Sequence, residues 1–251
     1  MRALWPALAA ASLLRASLLK TEPALAWSLM ACEAHSAPEG EAALAAAREA
    51  MVRDTIAARG VRDASVLAAM RKVPRHLFIP SDLLSQAYAD HPLPIGHGQT
   101  ISQPYIVAFM TEALALRGGE TVLEVGTGCG YQAAVVAEIA ARVHTMEIVT
   151  ALGDGARERL TRFGYANVEV RVGDGFRGWP DAAPFDGILV TAAAPRVPES
   201  LKAQLKDGGR LVLPLGQEDQ ELVLITRHAE RFEQQQLLPV RFVPMTGEVR
   251  R

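Results

Sequence analysis

The stretch Val122-Leu-Glu-Val-Gly-Thr-Gly-Cys-Gly-Tyr131 decides the fold. A short apolar run, Thr121–Val125, enters glycines at 126, 128 and 130, and an alanine-rich helical pattern follows over 131–141. Glycine permits a tight turn and a close approach of backbone to a ligand. Strand, glycine turn and helix together open a βαβ unit, whose ligands sit at the carboxyl end of the first strand. Downstream, the apolar runs 143–147, 168–172 and 185–191 read as strands, and 152–163 and 198–205 as helices. Three further strand patterns, 210–214, 222–226 and 237–243, have no helix between them. The alternation predicts an α/β fold: a doubly wound, mainly parallel, seven-stranded sheet of Rossmann-like type with an antiparallel C-terminal edge.

Upstream of the turn, 41–59 and 61–70 carry apolar residues at helical spacing, with Asp63 a candidate N-cap. With 105–116 they predict an N-terminal helical lid. The segment 72–80 is broken by Pro74 and Pro80 and reads as loop or extended chain. Residues 92–103, Pro-Leu-Pro-Ile-Gly-His-Gly-Gln-Thr-Ile-Ser-Gln, form a long Gly- and Pro-rich segment. A loop of that length inside a domain is usually functional. Gly153, Asp154 and Gly155 weaken the start of the 152–163 helix and predict a later boundary.

The first fifty residues differ from the rest. They are rich in Ala and Leu, and Arg15, Lys20 and Glu22 interrupt their apolar stretches. They are expected to be an extension, disordered or targeting, before a single domain over 51–251. Ala24-Leu25-Ala26 resembles a signal cleavage site and Leu29-Met30-Ala31-Cys32 a lipoprotein box, so export is the alternative to a cytoplasmic location. No apolar run reaches the roughly 18–20 uncharged residues of a membrane span.

The chain has 251 residues, 49% hydrophobic, and a formal net charge of −2 from 26 basic and 28 acidic residues. That balance argues against a protein that binds nucleic acid through phosphate contacts. Cys32 and Cys129 lack zinc-ligand spacing, and His76, His91, His97, His144 and His228 form no ligand pattern, so no metal is expected.

The glycine spacing is G-x-G-x-G, not the G-x-G-x-x-G that leaves a helix N-terminus free for a pyrophosphate. A nicotinamide dehydrogenase is thereby disfavoured. S-adenosylmethionine has no phosphate; it has an ammonium, and Glu124 sits where an acid would attract it. Glu147 ends the second strand, near the roughly 20-residue spacing at which an acid reaches ribose hydroxyls. Asp174, in Gly173-Asp174-Gly175, follows the third strand, where it is placed to accept from an adenine amino group. Each acid alone is an ordinary solvated strand end. Three at the ends of three consecutive strands, the first beside Gly126, Gly128 and Gly130, form a pattern.

The chain resembles the bacterial protein-L-isoaspartate O-methyltransferases from about residue 51 to 251. The resemblance rests on the glycine stretch and on Val73-Pro-Arg-His-Leu-Phe78, Leu93-Pro-Ile-Gly-His-Gly-Gln-Thr-Ile-Ser-Gln-Pro-Tyr105, Phe185-Asp-Gly-Ile-Leu-Val-Thr-Ala-Ala193 and Val240-Arg-Phe-Val-Pro244. The Gly-Gln-Thr-Ile-Ser-Gln-Pro segment is the most particular. Ile148 stands where the family usually has Arg, and Cys129 where Ser is common.

The resemblance implies methyl transfer from S-adenosylmethionine to the free α-carboxylate of isoaspartyl residues in damaged proteins and peptides. The ester then cyclises unaided to a succinimide, whose hydrolysis restores some normal aspartate. Such a carboxylate, with a pKa near 3–4, needs no general base. What remains is alignment and exclusion of water. Ser102 is the implied active-site hydroxyl, with helix capping its plain alternative. Thr100 and Gln99 are expected in the same loop, Gly175 beside the cofactor, and Thr246 closing the site from the C-terminal side. His97 is expected to pack or hydrogen-bond rather than catalyse. A monomer with no nucleic-acid or membrane partner is expected. The competing possibilities are a methyltransferase of small molecules or RNA and a non-catalytic binding module.

Overall fold

The computed structural model describes residues 38–250. Helix α1 (Pro38–Ala50) runs without a break into a wide-hydrogen-bonded segment, Met51–Ile56, and a final tight turn, Ala57–Arg59, closed by Gly60 at φ 101°. Met51, Val52 and Ile56 are buried, and Arg48 reaches the Tyr88 hydroxyl at 3.2 Å. The 41–59 helical pattern is therefore real, and the division expected at residue 50 falls inside a packed helix. Residues 1–37, with both candidate cleavage sites, lie outside the described residues.

Helix α2 (Ala64–Lys72) opens with Asp63, whose carboxylate accepts from the Ser65 and Val66 N–H groups. A one-turn helix, Arg75–Phe78, lies between Pro74 and Pro80. The long Gly/Pro segment is ordered as an antiparallel hairpin rather than loop: β1 (Leu93–Gly96) pairs with β2 (Gln99–Ile101). Its turn places Gly96, His97 and Gly98 at φ 87°, 53° and 69°. His97 is thus the exposed tip of a hairpin, away from both clefts described below. Helix α3 (Pro104–Ala113) follows with Pro in its first turn.

The main sheet contains β3 (Thr121–Val125), β4 (Arg142–Glu147), β5 (Val168–Val172), β6 (Phe185–Val190), β7 (Leu205–Gly216), β8 (Gln220–His228) and β9 (Arg231–Val240), in the order β5-β4-β3-β6-β7-β8-β9. The first five strands run parallel; β7–β8 and β8–β9 are antiparallel. Helices α4 (Tyr131–Ala137), α5 (Thr150–Arg162) and the short α6 (Glu199–Ala203) connect the parallel strands. Both faces are covered, as parallel strands require. Val122 packs with the α2–α3–α4 side, whereas Leu123 and Val125 pack with Trp179, Ile188 and Leu211 on the other. Chain order reverses between β3 and β6, so their carboxyl ends flank a topological switch point.

Several boundaries differ from the sequence pattern, among them β7, which begins at Leu205 rather than 210, and α4, which ends at Ala137 rather than 141; two have a local physical reason. Helix α5 begins early, at Thr150, because Gly153 is a contact rather than a weak point. A Cβ there would lie 2.8 Å from Val172 Cγ2 and 3.3 Å from Glu147 Cβ, so the helix can rest against the strand ends only with glycine. Strand β9 begins six residues earlier than the apolar run, because Glu233-Gln234-Gln235-Gln236 pairs with β8 at an exposed edge where no apolar alternation is needed.

Candidate functional site: two joined clefts at the sheet's carboxyl edge

The first cleft lies over the ends of β3, β4, β5 and β6 and is lined by Val125, Gly126, Gly128, Glu147, Asp174, Gly175, Thr191 and Thr246, among others. Its floor is backbone. Gly126 has φ 104°, and its N–H donates to the Met146 carbonyl at 2.8 Å. Thr191 Oγ1 donates to the Gly126 carbonyl at 2.6 Å and occupies the space a Cβ on Gly126 would need. Gly175 lies so close to Val125 that a Cβ would collide with its methyl groups.

Glu147 is 5% exposed and lines the cleft. Its two oxygens accept from the Gly128 N–H at 2.8 Å and the Val149 N–H at 2.9 Å. A carboxylate offers about four acceptor positions, so the glycine turn fixes this group without exhausting it. Asp174 is fixed in the same way, accepting from Phe176 N–H at 2.9 Å and Glu248 N–H at 2.8 Å. The second bond ties the C-terminal strap to the cleft. Val243 and Met245 complete that strap by exchanging backbone bonds with Ala193, both 2.8 Å.

Glu124 is not part of this lining. It lies two residues below the turn, fully buried, beside its register partner Thr145 on β4. Thr145 donates its hydroxyl to the Glu124 carboxylate and contacts Thr127 Oγ1 at 2.6 Å. Desolvation raises the Glu124 pKa to about 8, against the opposing Thr145 hydrogen bond. Glu124 therefore stands behind the turn, joined to it through Thr145 and Thr127, rather than at the cleft wall. Gly130 is likewise outside the lining. At φ 89° it begins α4, and a Cβ there would lie 3.2 Å from Leu160, so it permits helix packing.

The second cleft, of about 580 Å³, is lined by Arg59, Thr100, Ser102, Gln103, Thr191 and the chain from Leu238 to Val243. Thr100, Thr191 and Val243 line both clefts, so the two meet there. Gln99 and Thr246 face the first cleft only. Ser102 does not cap α3: the N-cap is Gln103, and Asp90 takes the Tyr105 N–H at 3.0 Å instead. Among the described residues, the Ser102 side chain has no hydrogen-bond partner; its carbonyl is the group that is held.

That carbonyl accepts from Arg75, which is fully buried, at 2.8 Å, while the other Arg75 amino group reaches the His91 carbonyl at 3.3 Å. Arg75 therefore ties together the two ends of the hairpin segment, with its guanidinium 5.3 Å from the Tyr131 ring centroid. Burial lowers its pKa, with Tyr131 the largest opposing influence. Sequence reading missed Arg75, Asp90 and Thr191 as site residues. Thr191 was detectable, as a polar residue directly after an apolar strand beside the central one. Arg75, in a proline-flanked loop, gave no sign of burial.

A G-x-G-x-G turn at a switch point, with fixed acids ending β4 and beginning the turn after β5, defines a Rossmann-like methyltransferase. The donor set fits S-adenosylmethionine: carboxylates for hydroxyl and amino groups, glycine faces for close approach, and no phosphate cradle. A family model for protein-L-isoaspartate(D-aspartate) O-methyltransferase matches residues 46–250. Protein-L-isoaspartate O-methyltransferase 1 of Rhodopseudomonas palustris is 58% identical over 207 residues, covering 81% of this chain and 84% of the relative. Protein-L-isoaspartate O-methyltransferase 2 of Shewanella sediminis is 56% identical over 203 residues, covering 80% and 83%. A solved protein-L-isoaspartate O-methyltransferase superposes with TM-score 0.75 at 31% identity, covering 80% of this chain and 67% of that one. One from Plasmodium falciparum, in complex with S-adenosyl-L-homocysteine, gives 0.71 at 25% identity, covering 79% and 98%. The chain belongs to the protein-L-isoaspartate(D-aspartate) O-methyltransferase family, whose cofactor is S-adenosylmethionine.

Proposed function

We propose that the two clefts divide the family's reaction between them: the strand-end cleft holds the cofactor, and the Ser102 cleft receives the isoaspartyl residue of a damaged protein. The observation that carries this reading is the shared border. Thr100, Thr191 and Val243 face both spaces, so groups held in each meet only there. S-adenosylmethionine, when bound, supplies an electrophilic methyl carbon on a sulfonium.

Glu147 is placed to accept from ribose hydroxyls. Asp174 retains acceptor capacity for an adenine amino group while it holds the strap. Gly126, Gly128 and Gly175 admit the cofactor's close approach, and Thr246 covers it from the C-terminal side. Thr100 and Gln99 fix the border from the hairpin. Ser102 donates its hydroxyl to one oxygen of the acceptor carboxylate and leaves the other to react. The carboxylate loses its charge on becoming an ester, so this donor works by orientation and not by stabilising developing charge. Arg75 holds the Ser102 backbone from behind.

The net charge of −2 supports a protein rather than a nucleic acid as partner, and the function is consistent with a monomeric, single-domain enzyme of the cytoplasm, where the cofactor is made. No helix among the described residues is long and apolar enough to cross a membrane. Two synthetic peptides that differ only in one aspartyl or isoaspartyl linkage test the reading. Base-labile label from S-adenosylmethionine is expected on the isoaspartyl peptide alone. Label on neither, with cofactor binding intact, contradicts it.

A further inference from the structure

The Ser102 cleft carries two guanidinium groups that methyl transfer itself does not use. Arg59 lines one wall and Arg241 another. The guanidinium of Arg59 lies 3.5 Å from the Tyr105 ring centroid and pairs with Asp90 at 2.7 Å. Stacked on one face and tied at one edge, it is held in place with about half of its side chain, 46%, exposed. Asp90 has further partners: its oxygens also accept from the Gln103 side chain at 2.7 Å and the Tyr105 N–H at 3.0 Å. Arg241 is exposed, and its neighbours in the lining, Val240 and Phe242, are uncharged. The cleft wall therefore sets two cations against one carboxylate. At about 580 Å³ the cleft has room for more than one residue of an extended chain.

We propose that this cleft selects isoaspartyl polypeptides carrying an acidic side chain next to the isoaspartyl residue, with Arg59 and Arg241 as the specificity-determining pair. The proposal rests on the Ser102 cleft being the acceptor cleft. The arginines suit a flanking carboxylate better than the acceptor itself, because a guanidinium clamped on the acceptor would draw charge from the oxygen that must react. A flanking lysine would meet like charge in a lining that contains no acidic residue. Arginine's planar set of five donors also lets Arg59 serve Asp90 and an incoming carboxylate together.

The test uses the full-length protein at saturating S-adenosylmethionine and three isoaspartyl peptides that differ only in the flanking residue: Glu, Gln or Lys. At low salt kcat/KM is expected to favour Glu over Lys by about tenfold, carried by KM. The preference should shrink toward one at about 0.5 M salt, as screening shortens. Arg241→Gln, at an exposed position, and Arg59→Gln should each cut the Glu:Lys ratio about threefold. A ratio of one in the wild type, or a parallel fall for all three peptides in both variants, overturns the selectivity; the parallel fall would place the arginines on the acceptor carboxylate. Methylation of none of the three overturns the acceptor-cleft reading itself, an outcome distinct from a flat ratio.

Discussion

The two clefts are built by opposite means. The strand-end cleft is a backbone cradle: each of its acids accepts from two backbone N–H groups, one of them two residues further along the chain, and Gly126 and Gly175 sit where a methyl group would collide. The Ser102 cleft is lined by side chains carried on a hairpin and on the chain leaving an edge strand. Its geometry is set from behind, by Arg75 through two carbonyls and by Asp90 through one N–H. The difference teaches that backbone N–H groups and glycine close approaches fix the first cleft, whereas the side chains of Arg75 and Asp90 fix the second.

The largest test of that contrast is Gly126→Val. A side chain at φ 104° is strained, and it would drive into Thr191. Cofactor affinity should fall by on the order of a thousandfold, measured by calorimetry with S-adenosylhomocysteine, while the variant still folds by circular dichroism. Unchanged affinity would mean that the turn does not form the cradle.

Next in size is Arg75→Met, which leaves the Ser102 and His91 carbonyls without their donor. The loss should appear as about a hundredfold in kcat/KM for an isoaspartyl peptide, with a much smaller change in cofactor affinity. Arg75→Lys should recover part of it, since one ammonium can reach one of the two carbonyls. Equal losses in both affinities would show that Arg75 supports the whole fold rather than the acceptor cleft.

The contrast also explains what the sequence revealed. The cradle is legible because Glu147, Asp174 and the glycines are local to strand ends, where spacing alone locates them. Even there one acid lies deeper than its spacing suggests. Glu124 reads as the cofactor's acid, yet strand alternation and its pairing with Thr145 place it under the floor. The parallel sheet was legible from its apolar runs, and so was the second half of β9; the first half of β9 was not, because it is polar and edge-bound. Ser102, Thr100 and Gln99 were found only through a particular run of residues that resembles a family. The partners that hold that run lie 13 to 27 positions away, at Asp90 and Arg75, and no periodicity links them.

A smaller effect concerns Glu124. Its folded pKa of about 8 lies above the ordinary carboxylate value of 4.5, so the folded state holds the proton more tightly than the unfolded state. The associated stability is fully present below about pH 4.5 and is lost as pH rises toward 8. Urea unfolding of wild type and Glu124→Gln at pH 5, 6.5 and 8 should show the variant gaining relative to wild type as pH rises. A difference that is constant across this range would mean that Glu124 is already ionised in the fold. Transfer kinetics should change only a fewfold, in keeping with a support beneath the cradle.

The central claim, that cofactor and acceptor are held by separately built clefts meeting at one border, is tested most directly on Ser102→Ala. A paired measurement takes kcat for the isoaspartyl peptide and the dissociation constant of S-adenosylhomocysteine on the same preparation. The account predicts a fall of about tenfold in kcat, the size of a lost orienting hydrogen bond, with the dissociation constant within twofold of wild type. A weakened cofactor complex, or an unchanged kcat, would contradict it.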